Sequence, residues 1–99
     1  MKLDELREVV DQINEEIIGL FAKRLEVTKQ IARVKKEEQL PVDDFGREER
    51  QLKMLRAWAQ KQGLNPTVVE EIFTLFVDYS KQNMKVEMGH DQKGRLPGN

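Results

Sequence analysis

The stretch IIGLFAKRLEVTKQIARVKKE, residues 17–37, decides the fold, because its apolar residues recur at helical spacing and one of them is replaced by an arginine. Stepping through the chain by alternating threes and fours from Leu3 gives Leu3, Leu6, Val10, Ile13, Ile17, Leu20, Arg24, Val27, Ile31 and Val34. Nine of these ten are aliphatic, which is the pattern of a helix with a seam-like apolar stripe. From residue 2 to about 38 only Gly19 interrupts good helix formers. Such a helix is about 50 Å long, whereas a compact monomer of this length has a radius of gyration near 13 Å. The helix must outrun its own domain, and its stripe then requires a second chain. An intertwined homodimer with two-fold symmetry is the simplest expectation.

Downstream, Pro41 ends the first helix or follows its end. Asp44 suits an N-cap, with Glu48 and Glu49 in the first turn of a second helix. Its apolar residues are Leu52, Leu55 and Trp58, with Ala59 beside them. In QGLNPT, residues 62–67, Gly63 can take a left-handed position that closes this helix, Asn65 can cap, and Pro66 can open a third. The third helix offers Val69, Ile72, Phe73, Phe76 and Val77 as its apolar face. The expected architecture is all-α: three helices with a very long first one, in a domain over residues 1–86. Residues 87–99, rich in glycine and polar groups, read as a disordered tail.

Composition excludes several functions. The 99 residues suit one domain, and the net charge of −1 gives no overall basic field for nucleic acid. There is no cysteine, and the single histidine, His90, lies in the tail, so neither a thiol nucleophile nor a Cys/His metal site is expected. No apolar run approaches the roughly 20 residues that cross a bilayer. The N-terminus mixes acids with its apolar residues and lacks a signal-peptide core, so a cytoplasmic location is expected.

Charges in apolar places point to a ligand. A guanidinium at Arg24 costs several kcal/mol to desolvate without an acceptor. Lys35, eleven residues on, returns to within about 20° of Arg24 on the helix and about 16 Å along it. Between them a small anion could sit, floored by Thr28 and Ile31. Alternatively, Arg24 pairs with Glu48 or another acid and Lys35 reaches for solvent. Arg47 at a helix N-terminus opposes the helix dipole unless an anion joins it. Ser80 faces an apolar surface, and its hydroxyl can bond the carbonyl four residues earlier. Arg7, about 26 Å from Arg24 along the same helix, can reach that site only from a partner chain.

Taken together, LREVVDQIN (Arg7), FAKRLEVTKQIARVKK (Arg24, Lys35), LPVDDFGREE (Asp44, Arg47, Glu48) and IFTLFVDYS (Ser80) resemble the all-α chorismate mutases, the AroQ class, over about residues 3–85. The resemblance implies an intertwined dimer that converts chorismate to prephenate for aromatic amino-acid biosynthesis. This is a unimolecular [3,3] rearrangement with no covalent intermediate and no cofactor. It implies that Arg7 of the partner chain and Arg24 bind the substrate carboxylates and that Lys35 bonds a carboxylate and the ether oxygen. Asp44 and Glu48 would hold the ring hydroxyl, Arg47 would steady the carboxylate clamp, and Ser80 would lie near one carboxylate.

One position departs from the family pattern. Met84 stands where the family has a glutamine or glutamate as second donor to the ether oxygen, and a thioether cannot donate. Three consequences stay open: Gln82 or Asn83 substitutes, the enzyme is slow, or the substrate is a chorismate relative such as isochorismate or 4-amino-4-deoxychorismate. In that last case the chain would be a mutase or pyruvate lyase on that relative. A non-enzymatic helical interaction module is a further alternative, since one seam charge can set partner register. It would leave the combined spacing of Arg7, Arg24, Lys35, Arg47 and Glu48 unexplained.

Overall fold

The computed structural model describes residues 2–87. Three helices follow one another: α1 (Leu3–Glu37), α2 (Phe45–Lys61) and α3 (Pro66–Glu87). The long first helix runs as expected. At its start the backbone N–H of Lys2 donates to Glu5 Oε1 at 2.7 Å. Asp4 and Glu5 lie in its first turn and Lys35 and Lys36 in its last, which suits the helix dipole at both ends. The longest dimension of the chain is 54 Å and its radius of gyration 16.8 Å, well above the roughly 13 Å of a compact chain of this length.

α1 and α2 end in the same way. After α1, Gln39 N donates to Lys36 O (3.3 Å) and Leu40 N to Lys35 O (2.8 Å). After α2, Gly63 N donates to Gln60 O (3.1 Å) and Leu64 N to Ala59 O (2.8 Å). Both pairs form a Schellman motif, which needs a left-handed residue at its centre. Gly63 supplies it with φ 74°, and Gln39 supplies it with φ 58°. Asp44 caps α2, its Oδ1 accepting from Arg47 N at 3.0 Å. Asn65 Oδ1 accepts from Thr67 N (2.9 Å) and Val68 N (3.3 Å) at the head of α3.

α3 lies against both other helices. Phe21 of α1 meets Phe76 of α3 with ring centroids 4.5 Å apart, and Arg56 of α2 bonds Glu70 of α3 at 2.8 Å. The buried apolar residues are few: Ala32, Leu55, Ala59 and Met84. Two expected core residues are exposed, Trp58 of α2 and Ile72 of α3. Every described residue up to Leu20 is exposed, including Leu3, Leu6, Val10, Ile13 and Ile17. Their α1 stripe extends past the two helices that could have covered it. α3 runs to Glu87, the first residue of the tail expected over residues 87–99, and the rest of that tail lies outside the described residues. Among the described residues no helix is long and apolar enough to cross a membrane.

Candidate active site

Arg24 sits midway along α1, where α3 first covers that helix. Its guanidinium lies 5.2 Å from the centroid of the Phe76 ring, a cation–π contact that places the charge without neutralising it. Partial burial and then the nearby charge of Arg47 both disfavour its protonated form. No carboxylate forms an ion pair with Arg24 or Arg47 among the described residues. The pairing of Arg24 with Glu48, considered from sequence, does not occur: Glu48 is held by Lys81 instead. Arg47 thus adds a second like charge near Arg24, and an external anion would suit a pair of guanidiniums that have no ion pair among the described residues.

Arg47 stands in the first turn of α2, where Asp44 holds its backbone. Lys35 turns its Nζ onto Val42 O at 2.7 Å, which fixes the ammonium beside the α1–α2 loop. Thr28 and Ser80 are both buried. Each hydroxyl donates to its own helix, Thr28 Oγ1 to Arg24 O at 3.0 Å and Ser80 Oγ to Phe76 O at 2.9 Å, and so presents lone pairs rather than a proton to any neighbour. Ile31, expected in the floor, is exposed. Met84 is buried in a small cluster with Ala32, and Val42 packs against that cluster. Of the two residues considered as substitute donors, Gln82 is exposed, and Asn83 Nδ2 donates back to Tyr79 O at 3.2 Å.

Contacts link these residues into one region. Arg24 rests on Phe76, Phe76 accepts from Ser80, and the neighbouring Lys81 bonds Glu48 and Asp43. Asp43 follows Val42, which holds Lys35 and packs against the cluster of Ala32 and Met84. Arg7 is the outlier. It is exposed, its one ion pair is a loose 4.0 Å approach to Asp4, and about 26 Å of helix separates it from Arg24.

Sequence reasoning overlooked Lys81 and Asp43. Lys81 Nζ lies 2.9 Å from Asp43 Oδ1 and 3.0 Å from Glu48 Oε2, with the Phe45 ring centroid 5.8 Å away. In the sequence Lys81 stands out only as the single basic residue between Pro66 and Met84, which does not say what it meets.

The family model of chorismate mutase type II matches residues 6–85, and the chain belongs to that family. It is 36% identical over 81 residues to the T-protein of Haemophilus influenzae, covering 82% of this chain and 22% of that protein. It is 26% identical over 84 residues to the chorismate mutase of Methanocaldococcus jannaschii, covering 85% of each. Against the secreted chorismate mutase of Mycobacterium tuberculosis it is 36% identical over 72 residues, covering 67% of this chain and 36% of the relative. The chain thus spans about a fifth of the T-protein and most of the archaeal enzyme.

Proposed function

We propose that two copies of this chain form an intertwined homodimer that rearranges chorismate to prephenate in the cytoplasm, as a step of aromatic amino-acid biosynthesis. The observation that supports this reading is a half-buried Arg24, set on Phe76 and under the like charge of Arg47, with no ion pair among the described residues. The substrate is a dianion, and its carboxylates supply the missing charge.

The reaction requires shape and charge rather than proton transfer. A flexible dianion must be held with its reacting carbons in contact. Arg24, steadied by Arg47, grips one carboxylate, and Arg7 of the second copy grips the other, each able to bond two oxygens at once. As the ether C–O bond breaks, negative charge grows on its oxygen. The ammonium of Lys35, which has donors left beyond the one on Val42 O, would stabilise the transition state more than the ground state if one of them meets that oxygen. Glu48, with Asp44 beside it, accepts from the ring hydroxyl. Covering the exposed stripe of Leu3, Leu6, Val10, Ile13 and Ile17 is the reason for the second copy, which also delivers the distant Arg7.

Met84 favours keeping a second reading. It is buried and offers no donor to the ether oxygen, so a chorismate relative rearranged or cleaved at the same site is the alternative. The test is loss of chorismate by ultraviolet absorbance with purified protein, the product identified by chromatography. Prephenate at an enzymatic rate supports the main reading. Turnover of isochorismate or 4-amino-4-deoxychorismate with chorismate untouched supports the second.

A further inference from the structure

Lys81 is placed where no catalytic role has been given to it. Its side chain is about one-quarter exposed and leaves α3 one residue after the buried Ser80 and three before the buried Met84. Its Nζ meets both oxygens of Glu48, at 3.2 Å for Oε1 and 3.0 Å for Oε2, and also Asp43 Oδ1 at 2.9 Å. It is therefore centred on the carboxylate fork of Glu48 and not on one corner of it. Glu48, in the first turn of α2, has no other ion pair among the described residues. Its rotamer is set from across the domain by one ammonium.

We propose that Lys81 is a positioning and specificity residue, which pins the Glu48 carboxylate and half-neutralises it so that it accepts from a neutral hydroxyl in preference to an ammonium. This deepens the proposed function and rests on it, since Glu48 is the group that meets the ring substituent. A lone carboxylate attracts a cation more strongly than a hydroxyl. A carboxylate already bridged by an ammonium attracts a second ammonium less strongly, because the bound ammonium repels a cation brought within a few ångströms of it. The ring hydroxyl donates to a free lone pair of Glu48 while Lys81 keeps its grip. In 4-amino-4-deoxychorismate an amine, cationic near neutral pH, takes the hydroxyl's place, and Lys81 penalises it.

The experiment compares kcat/KM for chorismate and for 4-amino-4-deoxychorismate in the full-length wild type, Lys81→Met and Lys81→Arg. Circular dichroism and sedimentation verify that each variant keeps its fold and assembly. Lys81→Met retains the aliphatic stem and removes the charge. It should lower kcat/KM for chorismate about tenfold and move the chorismate-to-amine ratio at least about tenfold toward the amine. Lys81→Arg, which restores the cation, should return the ratio to within about threefold of wild type. A merely structural lysine would change both substrates in parallel and leave the ratio alone. An unchanged ratio in folded Lys81→Met, beside an active wild type, overturns the Lys81 assignment and leaves the proposed function standing. A wild type that turns over neither compound overturns both.

Discussion

At the scale of single residues, the site is organised by what each charge lacks. Arg24 has the Phe76 ring beneath it and the like charge of Arg47 nearby, and it has no ion pair among the described residues. Arg24→Ala should therefore reduce chorismate turnover by at least about 10³, since it removes a clamp on the reacting dianion. The fold should hold, since the buried apolar residues Ala32, Leu55, Ala59 and Met84 are left in place. Steady-state kinetics beside sedimentation checks this, and activity within about tenfold of wild type would end the assignment. Met84 lacks a donor. Met84→Gln places an amide at a buried position clustered with Ala32 and should raise kcat for chorismate, because a fixed donor to a developing oxyanion is worth roughly 10²–10³ where it is well aimed. An unchanged or lower kcat would mean that another group fills that role. The arginine was legible in sequence because it broke an otherwise aliphatic stripe. Lys81 was not, because the acids that give it meaning lie on another helix and in a loop, and only the packing of α3 brings them together.

At the scale of elements, helix boundaries were well marked by local chemistry. Asp44, Gly63, Asn65 and Pro66 do what their types do best at helix ends. The end of α1 was harder to read, because its left-handed position carries glutamine instead of glycine. Gln39 holds φ 58°, a conformation that costs a side-chain-bearing residue about 1 kcal/mol or more. Gln39→Gly should raise the urea midpoint by an amount equal to about 1 kcal/mol, and a lower midpoint would contradict the capping account. The Lys81 bridge ties α3 to the α1–α2 loop and to α2, and it has a pH signature. The hydrogen bond from Lys81 holds the Asp43 carboxyl below its ordinary 3.8. The hydrogen bond to Asp43 and then that to Glu48 hold Lys81 above its ordinary 10.5, against the opposing effect of burial. A lowered carboxyl adds stability above its unfolded value and loses it as pH falls through the folded one. A raised ammonium adds stability below its unfolded value and loses it as pH rises through the folded one. The bridge should thus contribute across the whole interval between 3.8 and 10.5 and fade at both ends. Urea unfolding over a pH series should show that profile in the wild type and a flatter one in Lys81→Met. Superimposable profiles would mean that solvent screens the bridge away.

At the scale of the whole molecule, one fact governs the rest: a helix 35 residues long carries an apolar stripe that the other described residues cover only in part. The all-α class and the length of that helix could be read directly, since nine aliphatic residues at helical spacing admit few other folds. The outward-facing Trp58 and Ile72 could not, because periodicity marks apolar faces without saying which chain buries them. That same indeterminacy surrounds Arg7, whose proposed role depends on a second copy. The central claim is that each site is assembled across two chains, with Arg24 from one and Arg7 from the other. The most direct measurement is complementation by chorismate loss, using Arg7→Ala and Arg24→Ala chains refolded together. A heterodimer of these two carries one site with both arginines intact and one site with neither. Each variant alone should be inactive, and an equal mixture should regain about a quarter of the wild-type rate, because about half the dimers are mixed and each holds one intact site. A mixture that stays inactive although mixed dimers have formed would contradict the shared site.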